Sequence, residues 1–192
     1  MKINWHKFLC LLIISLSLLF YFNLSAHANT PKNQKTRGFE IRGMKGWAWT
    51  PKQYLEEIPH LKNFKMNFLM ICYISMCDIE NYKWGDDRIN RWWEPLPEVK
   101  KRAYEKVIRS CKTNNIEPCF SINPYVFSKR PINPNSLLDI DALWQHYSWM
   151  QSLGVNWFNI STDDVGWHIT ATDESKLANE LLKRLRIRDR NA

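Results

Sequence analysis

Residues Asn67–Ile74 read NFLMICYI, an apolar run that is continuous from Phe68 onward rather than alternating. A strand with one face in water alternates apolar and polar side chains. A continuous run marks a strand covered on both faces, which is the habit of parallel sheets. Working outward, Gly38–Gly43 (GFEIRG) reads as an earlier strand, and Glu117–Ile122 (EPCFSI) and Val155–Ser161 (VNWFNIS) as later ones. Helical spacing fills the gaps. Thr50 and Pro51 suit the N-cap and first position of a helix whose apolar residues Tyr54, Leu55, Ile58 and Leu61 fall on one side. Pro97–Asn114 reads as a second helix, and Ser136–Leu153 as a third, with Leu143, Tyr147 and Met150 on one face and Gly154 as its C-terminal cap. Asp173–Arg186 opens on acids and closes on bases, as the helix dipole favours.

Strand and helix therefore alternate four times, which predicts an α/β fold with a parallel sheet and helices outside. The helix-to-strand returns are short, as at Asn114-Asn115 and Gly154. The strand-to-helix connections are long, above all Ser75–Leu96 and Asn123–Pro134. That asymmetry is the habit of a (β/α)8 barrel, whose site is built from the loops at the C-terminal strand ends. The alternative is a doubly wound open sheet, which carries a glycine-rich phosphate turn after its first strand. Arg42–Trp47 (RGMKGW) has two glycines without that fingerprint. A whole barrel takes about 250 residues. The expectation is the N-terminal half of a (β/α)8 TIM-type barrel, four parallel βα units, either truncated or needing a partner half, because half a barrel leaves two strand edges unpaired.

The chain opens with Lys2 and Lys7, then Phe8–Phe22, apolar but for Ser15 and Ser17, then the small-x-small triplet Ala26-His27-Ala28. This is the layout of a secretory signal peptide over residues 1–28, and it implies a secreted or extracytoplasmic protein. A transmembrane anchor is the competing reading, but a spanning helix needs roughly 20 apolar residues, so no stable membrane anchor is expected. Cys10 precedes the middle of the apolar run and is no lipid-anchor cysteine at the cleavage point. Residues 29–36 read as a polar linker, and 37–192 as the barrel domain. The formal charge of +8 is spread out except at the basic C-terminus, with no basic stripe or reading motif for nucleic acid. Cys72, Cys77, Cys111 and Cys119 match no zinc spacing. A disulfide and buried free thiols both remain open.

The candidate chemistry is Asp163-Asp164, directly after the fourth strand and before Val165-Gly166-Trp167. Neighbouring residues on a regular strand point to opposite faces, but where the strand ends and the backbone turns, both carboxylates can reach one ligand. Two carboxylates held close do not both ionise easily, so one pKa rises. The split gives a proton donor and an anion, as acid/base cleavage of a glycosidic bond requires. The bland alternative is a pair that caps or stabilises a loop. Trp47, Trp49, Trp84, Trp92, Trp93 and Trp167 fall in or near strand-end loops. There, flat rings could cover the C–H face of a sugar, although any one of them could simply pack. Trp144, Trp149 and Trp157 read as core. Asp86-Asp87 reads as solvated, His146 as a helix-surface residue, and His168 as a possible ligand contact.

Several of these motifs resemble one family. Arg42-Gly43 with Gly46-Trp47 and Trp49-Thr50, the Lys65-Met66-Asn67 strand ending at Tyr73, Glu117–Pro124 (EPCFSINP) and Asn159–Val165 (NISTDDV) are similar to the catalytic domain of glycoside hydrolase family 84, the β-N-acetylglucosaminidase and hyaluronidase-like family. The similarity covers Arg37 to Trp167. It implies retaining, substrate-assisted cleavage of a glycan bearing N-acetylhexosamine, in which the 2-acetamido oxygen attacks the anomeric carbon. Asp163 would orient and polarise the acetamide. Asp164 would protonate the leaving oxygen and then activate water. Gly43, Tyr73, Trp47 and Trp167 would line the sugar pocket, and the resemblance implies no metal and no organic cofactor. The sequence departs from the family where a sugar-binding lysine follows the second-strand tyrosine, since Tyr73–Asp78 (YISMCD) carries Met76. A non-catalytic glycan-binding remnant stays open as an alternative. A metal-dependent hydrolase using the Asp pair is disfavoured, because no His or Glu cluster at ligand spacing accompanies it.

Overall fold

The computed structural model describes residues 38–47, 49–72, 90–162 and 169–189. The expected signal peptide and linker lie outside them. All regular structure belongs to the unit Ile41–Ala192; the described Gly38–Glu40 belong to a separate N-terminal unit and are exposed and irregular. Four strands, β1 (Gly43–Gly46), β2 (Phe68–Ile71), β3 (Glu117–Ile122) and β4 (Trp157–Ile160), alternate with helices α1 (Pro51–Asn63), α2 (Glu98–Thr113), α3 (Leu137–Ser152) and α4 (Ala171–Asp189). The strands are all parallel and pair in the order β1-β2-β3-β4. Right-handed crossovers are the rule for parallel strands, so a sequential order places every helix on one side of the sheet. This is the first half of a (β/α) barrel, as expected. No described helix is long and apolar enough to cross a membrane.

Each helix starts where its capping residues dictate. The Thr50 hydroxyl accepts from the Gln53 amide at 3.3 Å, and the Gln53 side chain accepts from the Thr50 amide at 2.8 Å, a reciprocal capping box. Ser136 caps α3 by accepting from Asp139 N at 3.3 Å. Thr170 caps α4 by accepting from Asp173 N at 3.1 Å. Gly154, at φ +78°, takes the left-handed position that ends α3. The buried faces follow helical spacing: Tyr54, Ile58 and Leu61 on α1, then Tyr104, Val107, Ile108 and Cys111 on α2. On α3 they are Ile140, Leu143, Tyr147 and Met150. They pack against Leu69, Ile71, Phe120 and Ile122 of the sheet.

The first strand differs from expectation. The sequence suggested Gly38–Gly43, but the strand is Gly43–Gly46, and Phe39 and Ile41 are 86% and 51% exposed. Pairing fixes the shift. The Arg42 carbonyl accepts from Asn67 N at 2.8 Å and Phe68 N at 3.2 Å, and Gly43 then begins the ladder opposite Phe68. Pro118 sits inside central β3 without loss. Glu117 N already donates to Asn67 O at 2.9 Å on the β2 side, so the next residue's missing N–H faces β4, whose pairing begins only at Cys119.

Candidate functional site

The C-terminal ends of the four strands, Gly46, Ile71, Ile122 and Ile160, lie at one end of the parallel sheet. Buried hydrogen bonds hold this end together. The Tyr54 hydroxyl, at the start of α1, donates to Gly46 O at 2.5 Å and accepts from Cys72 N at 3.1 Å, tying the ends of β1 and β2. Gly46 must lack a side chain there, because a Cβ would stand 2.2 Å from the Tyr54 ring. On the face of the sheet away from the helices, Asn159 of β4 donates from Nδ2 to Ser121 Oγ of β3 at 2.8 Å. The Asn159 carbonyl accepts from the Tyr147 hydroxyl on α3 at 2.8 Å. Ser161 N donates to Ile122 O at 2.9 Å, carrying the β3–β4 pairing just past the strand. β4 is thus pinned from both sides within four residues of Asp163.

The loop after β3 is built on two asparagines. Asn123 Oδ1 accepts from Tyr125 N at 3.0 Å and Val126 N at 3.1 Å. Asn90 Nδ2 donates to Asn123 O at 2.6 Å and Val126 O at 2.8 Å. Arg130 pairs with the buried Asp139 carboxylate, whose second oxygen accepts from Asn133 N at 2.9 Å. The Arg130 guanidinium also lies 5.5 Å from the ring centre of Trp92 and 5.6 Å from that of Trp93. Trp92 Nε1 donates to Arg130 O at 2.6 Å. His146 lies beneath, with Nε2 2.8 Å from Trp92 O. Burial pushes the His146 pKa down to about 4, so the ring is neutral and donates to that carbonyl. His146 is therefore a buried structural group, where a helix-surface residue was expected. Burial, then the nearby Glu174 and Asp173 carboxylates, push the Tyr125 hydroxyl up to about 12. That hydroxyl has no hydrogen-bond partner among the described residues.

The sequence-selected residues divide. Trp47 follows β1 at the loop end and is 39% exposed. Gly43 starts β1, at the end away from the loops. A Cβ on it would stand 2.1 Å from Phe68 O, so what its missing side chain allows there is the close approach of two strands. Tyr73, Asp163, Asp164 and Trp167 lie outside the described residues, as do Cys77, Asp86, Asp87 and His168. Asp163 is the next residue in sequence after Thr162, the last described residue beyond β4. Among the loop tryptophans, Trp92 is buried in the Arg130 contact and Trp49 packs edge-on against Tyr54 at 5.3 Å. Trp157, expected in the core, is 45% exposed, because it points from β4 to the side of the sheet without helices. Cys72, Cys111 and Cys119 are buried free thiols. Burial pushes the Cys111 thiol up to about 12 and Cys119 up to about 11, which makes both poor nucleophiles. Among the described residues no group of three or more His, Cys, Asp or Glu could hold a metal ion.

Four parallel βα units in sequential order define half of a (β/α) barrel. The NAGidase family model, beta-N-acetylglucosaminidase, matches residues 37–188, and the chain belongs to that family. Two solved structures share the fold. CpGH84B superposes with a TM-score of 0.58 at 20% identity, over 76% of this chain and 25% of that one. An O-GlcNAc hydrolase variant from Thermobaculum terrenum superposes with a TM-score of 0.58 at 17% identity, over 76% of this chain and 31% of that one. The chain thus spans between a quarter and a third of the length of these structures. No curated protein matches it in sequence.

Proposed function

We propose that the chain carries the acid/base half of a secreted β-N-acetylglucosaminidase-type glycoside hydrolase site, acting on glycans that bear N-acetylhexosamine. The observation that carries this reading is the position of Asp163-Asp164 in sequence, immediately after a strand whose end is pinned by Asn159 and Ser161 at the loop end of the sheet. The match to the family model spans the pair. In the proposed cycle the substrate's acetamide oxygen attacks the anomeric carbon while Asp163 orients and polarises the acetamide. Asp164 gives its proton to the leaving oxygen, then takes one from the water that opens the cyclic intermediate, so stereochemistry is retained. Trp47, Tyr73 and Trp167 line the sugar side of this pocket, and the reaction needs no metal or organic cofactor. Residues 1–28 direct export and are removed.

The test is hydrolysis of a chromogenic N-acetyl-β-D-glucosaminide by the purified chain, beside Asp163→Asn and Asp164→Asn. Turnover that both substitutions lower supports the reading; turnover that neither changes overturns it. Mass spectrometry of the exported protein is expected to find Asn29 at the N-terminus. A second reading is favoured by Met76, which stands in the stretch where the resemblance puts a sugar-binding lysine. It is non-catalytic glycan binding, seen as retention on immobilised N-acetylglucosamine polymer without turnover.

A further inference from the structure

We propose that the outer face of α2 is a docking track for a linear acidic polysaccharide, held by Arg102, Lys106 and Arg109. Along the sequence the positive charge reads as spread out, but the fold concentrates it. α2 holds six Lys and Arg against two Glu, so one helix of 16 residues carries a net +4 of the chain's formal +8. Arg102, Lys106 and Arg109 follow one another at i, i+4 and i+7, which puts them on one side of the helix. That side lies opposite the buried Tyr104, Val107, Ile108 and Cys111, and all three residues are exposed. At 1.5 Å per residue the row is about 10 Å long. None of the three makes a hydrogen bond or ion pair among the described residues. Glu98, one turn before Arg102, is already paired with Lys101 at 2.7 Å. Like charges at this spacing repel, and no described side chain pairs with them to relieve it.

The neighbouring helices decide the kind of partner. α2 stands between α1 and α3, so its outward face is bounded on both sides within the described residues. α1 carries Lys52 and Lys62 against Glu56 and Glu57, and α3 carries Asp139 and Asp141 with no Lys or Arg. The cations therefore form one narrow row between a neutral helix and an acidic one. An anionic membrane would have to lie across all three helices, against the exposed Glu56, Glu57 and Asp141. A single extended polyanion fits the row without meeting them. The row holds no aromatic ring on which a base could stack, which sets a nucleic acid aside. Val99 is the one exposed large apolar residue of α2, so the helix offers no hydrophobic groove to seat an acidic peptide. The remaining fit is a sugar chain whose carboxylate or sulfate groups take the forks of Arg102 and Arg109 and the point charge of Lys106.

The inference rests on α2 and not on the proposed activity, so it stands or falls without turnover. The test is binding of heparin, a linear acidic polysaccharide, to the purified chain, followed by fluorescence anisotropy over a range of salt. Heparin is expected to bind, with an affinity that falls as salt rises. Arg102→Gln, Lys106→Gln and Arg109→Gln together are expected to weaken it at least about tenfold and to flatten the salt dependence. Removing three exposed cations elsewhere, by Lys52→Gln, Lys62→Gln and Lys183→Gln, is expected to weaken it far less. In the unaltered chain, bound heparin is expected to shield Lys106 from amine acetylation, read by mass spectrometry, and to leave Lys52 and Lys183 open. That measurement does not depend on how any variant folds. No binding, equal losses in the two triple variants, no protection of Lys106, or tighter binding of phosphatidylglycerol vesicles, oligothymidylate or polyglutamate at the same salt would overturn the proposal.

Discussion

The hydroxyl of Tyr54 links the ends of two strands, donating to Gly46 O and accepting from Cys72 N. Tyr54 belongs to α1, so one side chain fixes helix, β1 and β2 together at the C-terminal ends of those strands. Both bonds are buried, and a buried hydrogen bond whose partner is removed costs about 1–3 kcal/mol. Tyr54→Phe is expected to lower stability by that amount in urea unfolding. A loss under ~0.5 kcal/mol would mean that the link does not hold the strand ends.

His146 makes the fold sensitive to mild acid. Its folded pKa, about 4, lies below the ordinary value of 6.5, chiefly because of burial. The unfolded chain therefore binds the proton first. The His146 contribution is fully present above about pH 6.5 and is lost progressively as pH falls toward 4, by roughly 3 kcal/mol in total. Urea midpoints between pH 7 and pH 4 are expected to fall more steeply for the native chain than for His146→Gln. Parallel curves would show that another group sets the acid limb.

Gly43 tests the packing of the first two strands. An added Cβ would meet Phe68 backbone atoms at 2.1 and 2.7 Å, and backbone cannot swing aside as a flexible side-chain end does. Gly43→Ala is expected to destabilise by about 1–3 kcal/mol, as overpacking does. Gly154→Ala, whose nearest neighbour is a side-chain end, Lys112 Nζ at 2.5 Å, loses only about 1 kcal/mol from its positive φ. Equal losses in thermal melts would contradict the steric reading of Gly43.

The alternation of strand and helix was legible because its signals are local. Thr50-Pro51, Ser136 and Gly154 mark helix ends by their own chemistry, and the run from Phe68 needs two covered faces. The first strand was placed too early, at Gly38–Gly43, because the true β1 is GMKG, whose glycines serve Phe68 and Tyr54 from distant parts of the chain. The burial of His146 and Trp92 was hidden for the same reason. Their partners are backbone carbonyls of other segments, at Trp92 and Arg130, which carry no mark in sequence. Trp157 was assigned to the core from its place on a strand, but composition does not say which side of a half-barrel the helices leave bare. The Asp163-Asp164 pair stood out because an acid pair after an apolar strand is itself a local signal, whereas the Asn159–Ser121 bond that joins β4 to β3 links residues 38 apart.

The proposed division of labour between the two aspartates is tested most directly by comparing good and poor leaving groups. Hydrolysis of N-acetyl-β-D-glucosaminides with nitrophenyl and with methyl leaving groups is measured for the native chain and for Asp164→Asn. A general acid contributes about 10²–10⁴-fold, and most where the leaving oxygen needs a proton. The expected result is turnover by the native chain, a large loss for the methyl glycoside in Asp164→Asn, and a much smaller loss for the nitrophenyl glycoside. Equal losses for both substrates, or unchanged rates for both, would contradict Asp164 as the proton donor.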